Sequence, residues 1–310
     1  MSGKDPLVSI CCITYNHEQY IRYAIEGFLI QLTDFEYEII IHDDASTDST
    51  ANIIRDYEEK HKELIKPIYQ KVNQYSLGRK PWSEFVFPKC RGKYIALCEG
   101  DDYWTDPLKL QKQVDILEQN PTYTGIATQC KVTDGETVRV FRNYTRNTIT
   151  LNDLLAGRIF HTATFMFKKV LIQNITFPIG YLSGDRLLFM VCAYFGPIYF
   201  LSDITAVYRR NEGGLSKKVD VPMMEKDISM LDWFSANFAG FPVRKLRTYI
   251  LHSIISYSNK ITLRDYFRYT FKMVWSAFTS LSLQNLLFVT KHLVWLPKTL
   301  YLMKKQNRIL

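Results

Sequence analysis

The chain has 310 residues, 47% of them hydrophobic and 23% charged, a composition that excludes a disordered, collagen-like or disulfide-scaffold protein. Its net charge of +8 is uneven: residues 241–310 hold twelve Lys/Arg and one acid, Asp265, so the first 240 residues keep 27 of the 39 basic and 30 of the 31 acidic side chains. A basic, aromatic-rich tail on a slightly acidic body, without a recognition motif, argues against a nucleic-acid binder and reads as a binder of anionic surfaces, of which a bilayer is the commonest.

The run LVSICCIT from Leu7 to Thr14 is continuously apolar, as a strand buried on both faces should be. A helix is expected from Asn16-His17-Glu18 to about Gln31. YEIIIH, Tyr37 to His42, reads as a second buried strand ending at Asp43-Asp44, and Ser46 to Thr50 supply capping oxygens for a helix through Ile53, Ile54 and Tyr57. Pro67 to Val72 reads as a third strand and Trp82 to Lys89 as a short helix. YIALC, Tyr94 to Cys98, reads as a fourth strand, ended by Glu99-Gly100-Asp101-Asp102, and Pro107 opens the next helix at its favoured first-turn position. Beyond Gly125, strand-like pieces at 125–132, 162–167, 198–201 and 204–208 are separated by loops and by short helices near 151–156 and 186–194. From Met223 onward the pattern is nearly all helical.

Strands alternating with helices predict an α/β fold with a mostly parallel sheet flanked by helices, and such sheets bind ligands beyond the carboxyl ends of their strands. Asp43-Asp44 and Asp101-Asp102 both fall there. Adjacent carboxylates repel unless a cation sits between them, and hard oxygen ligands favour Mg²⁺ or Mn²⁺ with phosphate oxygens completing the shell. The six cysteines show no metal-ligand spacing and sit mostly in apolar runs, where a thiol acts as a small hydrophobe. No G-x-S-x-G, P-loop or G-x-G-x-x-G is present.

TYNHEQYI after the first strand, DDASTDST after the second and EGDDYW after the fourth resemble the nucleotide-sugar half of family-two glycosyltransferases of the GT-A (Rossmann-like) fold. GDR at Gly184 to Arg186 and YRRNEGGLS at Tyr208 to Ser216 match that family's downstream motifs in order. The resemblance covers residues 7 to 216. It implies that Thr14, Tyr15 and Asn16, with Glu18, line the floor under uracil and ribose. Asp44 would read the base or ribose while Asp43 braces the first loop. In the acidic motif Asp101 would be the direct metal ligand, Asp102 a partner or supporting ligand, Glu99 a ribose-side acid and Gly100 a close turn over the diphosphate. Asp185 matches the base that deprotonates the acceptor hydroxyl. Arg209 and Arg210 would meet the leaving diphosphate, with Gly213-Gly214 as a hinge. His161 is an acceptor-side candidate, and so is Trp104, although a core position under the loop suits its bulk better.

These implications define an inverting, metal-dependent transferase using Mn²⁺ or Mg²⁺ and a nucleotide-sugar donor, expected to be UDP-linked. Its acceptor would be a glycan or lipid-linked saccharide in surface-polysaccharide or lipopolysaccharide assembly. The alternatives are a sugar-phosphate nucleotidyltransferase, whose Gly-rich basic loop TYNHEQYI lacks, and a non-catalytic scaffold of the same fold. The expected organisation is a transferase domain over 1–222, with a donor half at 7–124 and an acceptor half at 125–222. A helical, basic amphipathic region would follow at 223–310. Leu283 to Leu302, with Trp295 and Tyr301 among lysines, is expected to lie in a membrane interface. A cytoplasmic location, peripheral at the inner face of the membrane, follows from these expectations. Met273 to Thr290, the longest charge-free stretch, is too polar for a spanning helix.

Overall fold

A computed structural model describes residues 5–211, 214, 218–257, 261–279 and 289–290. The chain divides into two compact units. The first comprises residues 1–151, 158–179 and 188–211, and the second residues 152–157, 180–187 and 212–310.

In chain order the elements up to the second acidic cluster are β1 (Val8–Thr14), α1 (Ile21–Leu29), β2 (Tyr37–Asp43), α2 (Thr50–Lys60), β3 (Ile65–Tyr69) and β4 (Tyr94–Glu99). There follow β5 (Tyr103–Trp104), α3 (Lys109–Gln119), β6 (Gly125–Thr133), β7 (Val138–Val140), β8 (Thr148–Ile149), α4 (Leu151–Ala156), β9 (Met166–Lys168), α5 (Gly184–Phe195) and β10 (Ile198–Arg209). The sheet runs β3-β2-β1-β4-β9-β6-β10-β5, with β7 on β6 and β8 on β10. Strands β3, β2, β1 and β4 are parallel, as are β6 and β10; β5, β7, β8 and β9 are antiparallel additions.

The continuous apolar runs follow from this placement. Ile10, Cys12, Ile39, Ile41, Ala96 and Cys98 pack with Ile21, Ala24, Ile25 and Phe28 of α1, while Cys11, Ile40 and Leu97 are buried on the other face. All six thiols are free and buried. Register places Thr14 beside Asp43 and Ile13 beside Glu99, so the ends of the three central strands share one edge.

Several boundaries differ from the sequence reading. The first helix starts at Ile21, because Asn16 adopts a left-handed φ of 54° and a hydrogen-bonded turn occupies the residues that follow. The third strand is Ile65–Tyr69, an edge strand that tolerates Pro67. Residues 81–89 form a π turn followed by a 3-10 turn. Of 162–167 only the end is strand, since Thr162–Thr164 is a 3-10 turn. The pieces at 198–201 and 204–208 are one strand with register shifts between Leu201 and Ala206.

Among the described residues of the second unit are the helices α6 (Val221–Glu225), α7 (Ser229–Asn237), α8 (Val243–Tyr257) and α9 (Leu263–Thr279). The buried carboxylate of Asp227 accepts hydrogen bonds from the Leu182 and Ser183 N–H groups at 2.8 and 2.9 Å. Its other oxygen lies 3.8 Å from the Arg186 guanidinium, which rests on Tyr249. These contacts fix the turn that leads into α5. Among the described residues no helix is long and apolar enough to cross a membrane. The segment expected at Leu283 to Leu302 lies outside the described residues apart from 289–290.

Candidate functional site

At the carboxyl end of β1 the chain turns through Thr14, Tyr15 and Asn16. The Asn16 N–H donates to Ser46 Oγ, and its side-chain oxygen accepts from the Thr47 N–H at 2.8 Å. Ser46 Oγ donates in turn to Asp43, which ties the loop to the end of β2. Glu18 and Asp48 form a reciprocal pair: Asp48 accepts from the Glu18 N–H, and Glu18 from the Ser49 N–H at the start of α2. Tyr15 is exposed beside this clamp. Asp44 is buried, and its two oxygens accept from the Gln74 and Tyr75 N–H groups at 2.7 and 3.0 Å, tying the 73–77 loop to the end of β2.

The β4 end approaches β1 closely. A Cβ on Gly100 would come within 2.6 Å of Thr14 Oγ1, so only glycine fits there. Thr14 Oγ1 lies 3.1 Å from His17 Nδ1, and the ring's Nε2 is 4.0 Å from Asp101 Oδ2. Burial lowers the His17 pKa against the opposing pull of Asp101, Asp48 and Asp43. Asp101 Oδ2 also accepts from Asn211 at 2.8 Å.

Asp102 is the buried hub. One oxygen accepts from the Arg209 N–H at 2.9 Å; the other accepts no hydrogen bond and faces His161 Nδ1 at 3.3 Å. Donor atoms of Glu99, Asp102 and His161 lie within 4.8 Å of one another. Burial, then the neighbouring Asp101 and Glu99 charges, pushes the Asp102 carboxyl well above the usual range. A carboxylate oxygen with no donor of its own, beside a second acid and an imidazole, fits a divalent cation, which would hold these acids ionised. Asp101, the expected direct ligand, is not in the convergent group.

His161 was legible only as an acceptor-side candidate. Here its ring stacks on Tyr208 at 3.9 Å and its Nδ1 accepts from the Ala163 N–H, which aims it at Asp102. Trp104 takes the core position. It is 2% exposed, its indole N–H donates to the Ala163 carbonyl at 2.7 Å, and Lys109 Nζ sits 4.1 Å from the ring, leaving no open face for a sugar. The Arg209 guanidinium lies over Tyr103, Tyr23 and Tyr20 and donates to the Asp101 carbonyl. It clamps the acidic loop, whereas the Arg210 side chain is exposed. In the second unit Asp185 occupies the first turn of α5, one of its oxygens accepting from the Arg186 N–H. Gly213 lies outside the described residues.

The class of protein is given by a family model that spans most of the sheet and this cluster. Residues 9–176 match glycosyl transferase family 2, and the chain belongs to that family. It is 38% identical over 211 residues to an uncharacterised protein of Mycobacterium tuberculosis, covering 67% of this chain and 60% of that protein. The chain therefore spans less than two thirds of the length of this curated relative. It is also 28% identical over 172 residues to an Escherichia coli protein named UDP-Glc:alpha-D-GlcNAc-diphosphoundecaprenol beta-1,3-glucosyltransferase, covering 56% of this chain and 64% of that one. Its fold resembles that of S. aureus TarS residues 1–349, solved with UDP-GlcNAc. The TM-score is 0.65 at 20% identity, over 87% of this chain and 81% of that one.

Proposed function

We propose that the chain is an inverting glycosyltransferase that moves a sugar from a UDP-linked donor to a hydroxyl of a glycan or lipid-linked saccharide. The work belongs to surface-polysaccharide assembly, at the cytoplasmic face of a membrane. The observation that carries this reading is the convergence of Glu99, Asp102 and His161 at the end of β4, beside the loop that Asn16, Ser46 and Asp43 hold. Bound at that cluster, with Asp101 adjoining, Mn²⁺ or Mg²⁺ would neutralise charge on the leaving diphosphate.

Thr14, Tyr15 and Asn16 form the floor for uracil and ribose, with Tyr15 offering an exposed ring face. Asp44 holds the 73–77 loop and keeps lone pairs for an imide N–H or ribose hydroxyl. Arg210 is the arginine assigned to the diphosphate. Asp185 accepts the proton of the attacking hydroxyl, without which that oxygen is a weak nucleophile. The UDP donor is supported by the TarS complex and by the name of the E. coli relative; that name also supports a lipid-linked acceptor. The test is Asp185→Asn, assayed by donor hydrolysis with water as acceptor. Donor affinity should hold while turnover falls by about 10²-fold or more; an equal fall in both would make Asp185 a structural residue.

A further inference from the structure

Helix α9 buries Tyr266, Tyr269, Met273, Ser276 and Ala277, and Ser276 Oγ meets Thr248 Oγ1 of α8 at 3.0 Å. Its other side is not polar. Phe267, Phe271, Trp275 and Phe278, spaced by four, four and three residues, fall on one stripe and are 49%, 73%, 67% and 61% exposed. At 1.5 Å per residue the stripe is about 16 Å long. Arg264, Arg268 and Lys272 are exposed beside it. An unbroken row of four large exposed aromatics marks a contact surface, not a solvated face.

We infer that this stripe of α9 docks on an anionic lipid bilayer, its rings entering the interface while the flanking cations meet lipid phosphates. The inference rests on the membrane-surface reading proposed above and names the element that makes the contact. Charge selects the occupant. Residues 241–310 carry twelve Lys/Arg against one acid, so a second copy seated on the same stripe would bring like charge to like charge. Residues 280–310 add five Lys/Arg and no acid to the charge of this region. Aromatic rings flanked by arginine and lysine are the side-chain set that favours the headgroup region, where ring and cation are both accommodated.

The experiment is vesicle co-flotation of the full chain with phosphatidylcholine vesicles, with and without phosphatidylglycerol. Wild type should float with the anionic vesicles. Phe271→Ser with Trp275→Ser should weaken that partitioning by about tenfold or more, whereas Phe271→Leu with Trp275→Leu should restore most of it. Arg264→Gln with Arg268→Gln and Lys272→Gln should lose only the preference for phosphatidylglycerol. These positions are exposed, so circular dichroism and UDP binding should match wild type in every variant. If wild type floats and the double serine variant floats equally well, the assignment to α9 fails while the membrane reading stands. If wild type does not float, the membrane reading itself fails. Self-association of wild type that the serine variant abolishes would give the stripe to a second copy and overturn the inference.

Discussion

Asp102 Oδ2 and His161 Nδ1 face each other at 3.3 Å in a region closed to solvent. The carboxylate's other oxygen is committed to the Arg209 N–H. Asp102 therefore joins the acidic loop to the end of β10 and leaves one oxygen for a cation. Asp102→Asn keeps an acceptor for Arg209 and can donate to His161, removing a buried carboxyl that desolvation disfavours. Its thermal stability without metal should match or exceed that of wild type. The apparent affinity for Mn²⁺, followed by thermal shift, should fall by about tenfold or more. Unchanged Mn²⁺ affinity would remove Asp102 from the metal site.

Asn16 meets two demands, a φ of 54° and an acceptor for the Thr47 N–H. Asn16→Gly meets the first alone and Asn16→Ala neither. Glycine should cost about 1 kcal/mol in denaturant unfolding for the lost hydrogen bond, and alanine about 1 kcal/mol more for the left-handed backbone. Both should weaken UDP binding, alanine the more. Equal stability for the two variants would mean that the loop relaxes out of its left-handed turn.

Lys109 is fully buried against Trp104 and Gln113, and burial lowers its pKa from 10.5 to about 7. The unfolded chain holds this proton up to about pH 10.5 and the folded chain only up to about pH 7. The folded state thus binds fewer protons between those values, and this residue makes stability rise with pH across that window. The full span is on the order of 5 kcal/mol. Urea unfolding at both ends of the window should show the rise in wild type and lose it in Lys109→Met. A slope unaltered by the substitution would mean that Lys109 stays charged in the fold.

Asp227 holds the turn that leads into α5 through the Leu182 and Ser183 N–H groups and Arg186. Truncation to alanine strands the Leu182 and Ser183 N–H groups and leaves Arg186 without its carboxylate, for a loss of about 3 to 5 kcal/mol. Asp227→Asn keeps one acceptor and should cost about half as much. It should lower turnover without altering donor affinity, since it disturbs the turn before α5 and nothing at β1 or β4. A fall in donor affinity alone would contradict that placement.

The parallel core and the acidic clusters at its edge were legible because β1, β2 and β4 are buried on both faces. Their sequences are unbroken apolar runs that stop where the carboxylates start. The first helix was read too early because Asn16 and His17 resemble a helix opening. Their side chains are instead taken by Thr47 and Thr14, a preference no local pattern reveals. His161 could not be paired with Asp102 from sequence. The two lie 59 positions apart and meet through β9, a three-residue strand inserted between β4 and β6. The tyrosine cage of Arg209 is hidden in the same way, since Tyr20, Tyr23 and Tyr103 come together only in the fold. Asp227, whose carboxylate holds the turn before α5, could not be found from sequence, since it stands more than 40 residues beyond that turn in an unremarkable helical stretch.

The proposed function requires one edge of the sheet to bind uridine diphosphate together with a divalent cation. Calorimetric titration of UDP into the full chain, with Mn²⁺ and then with excess chelator, tests it most directly. The predicted result is binding that requires Mn²⁺, exceeds that of ADP and GDP, and is lost in Asp102→Asn. UDP binding of equal strength with chelator present, or no binding of any nucleotide by folded protein, would contradict it.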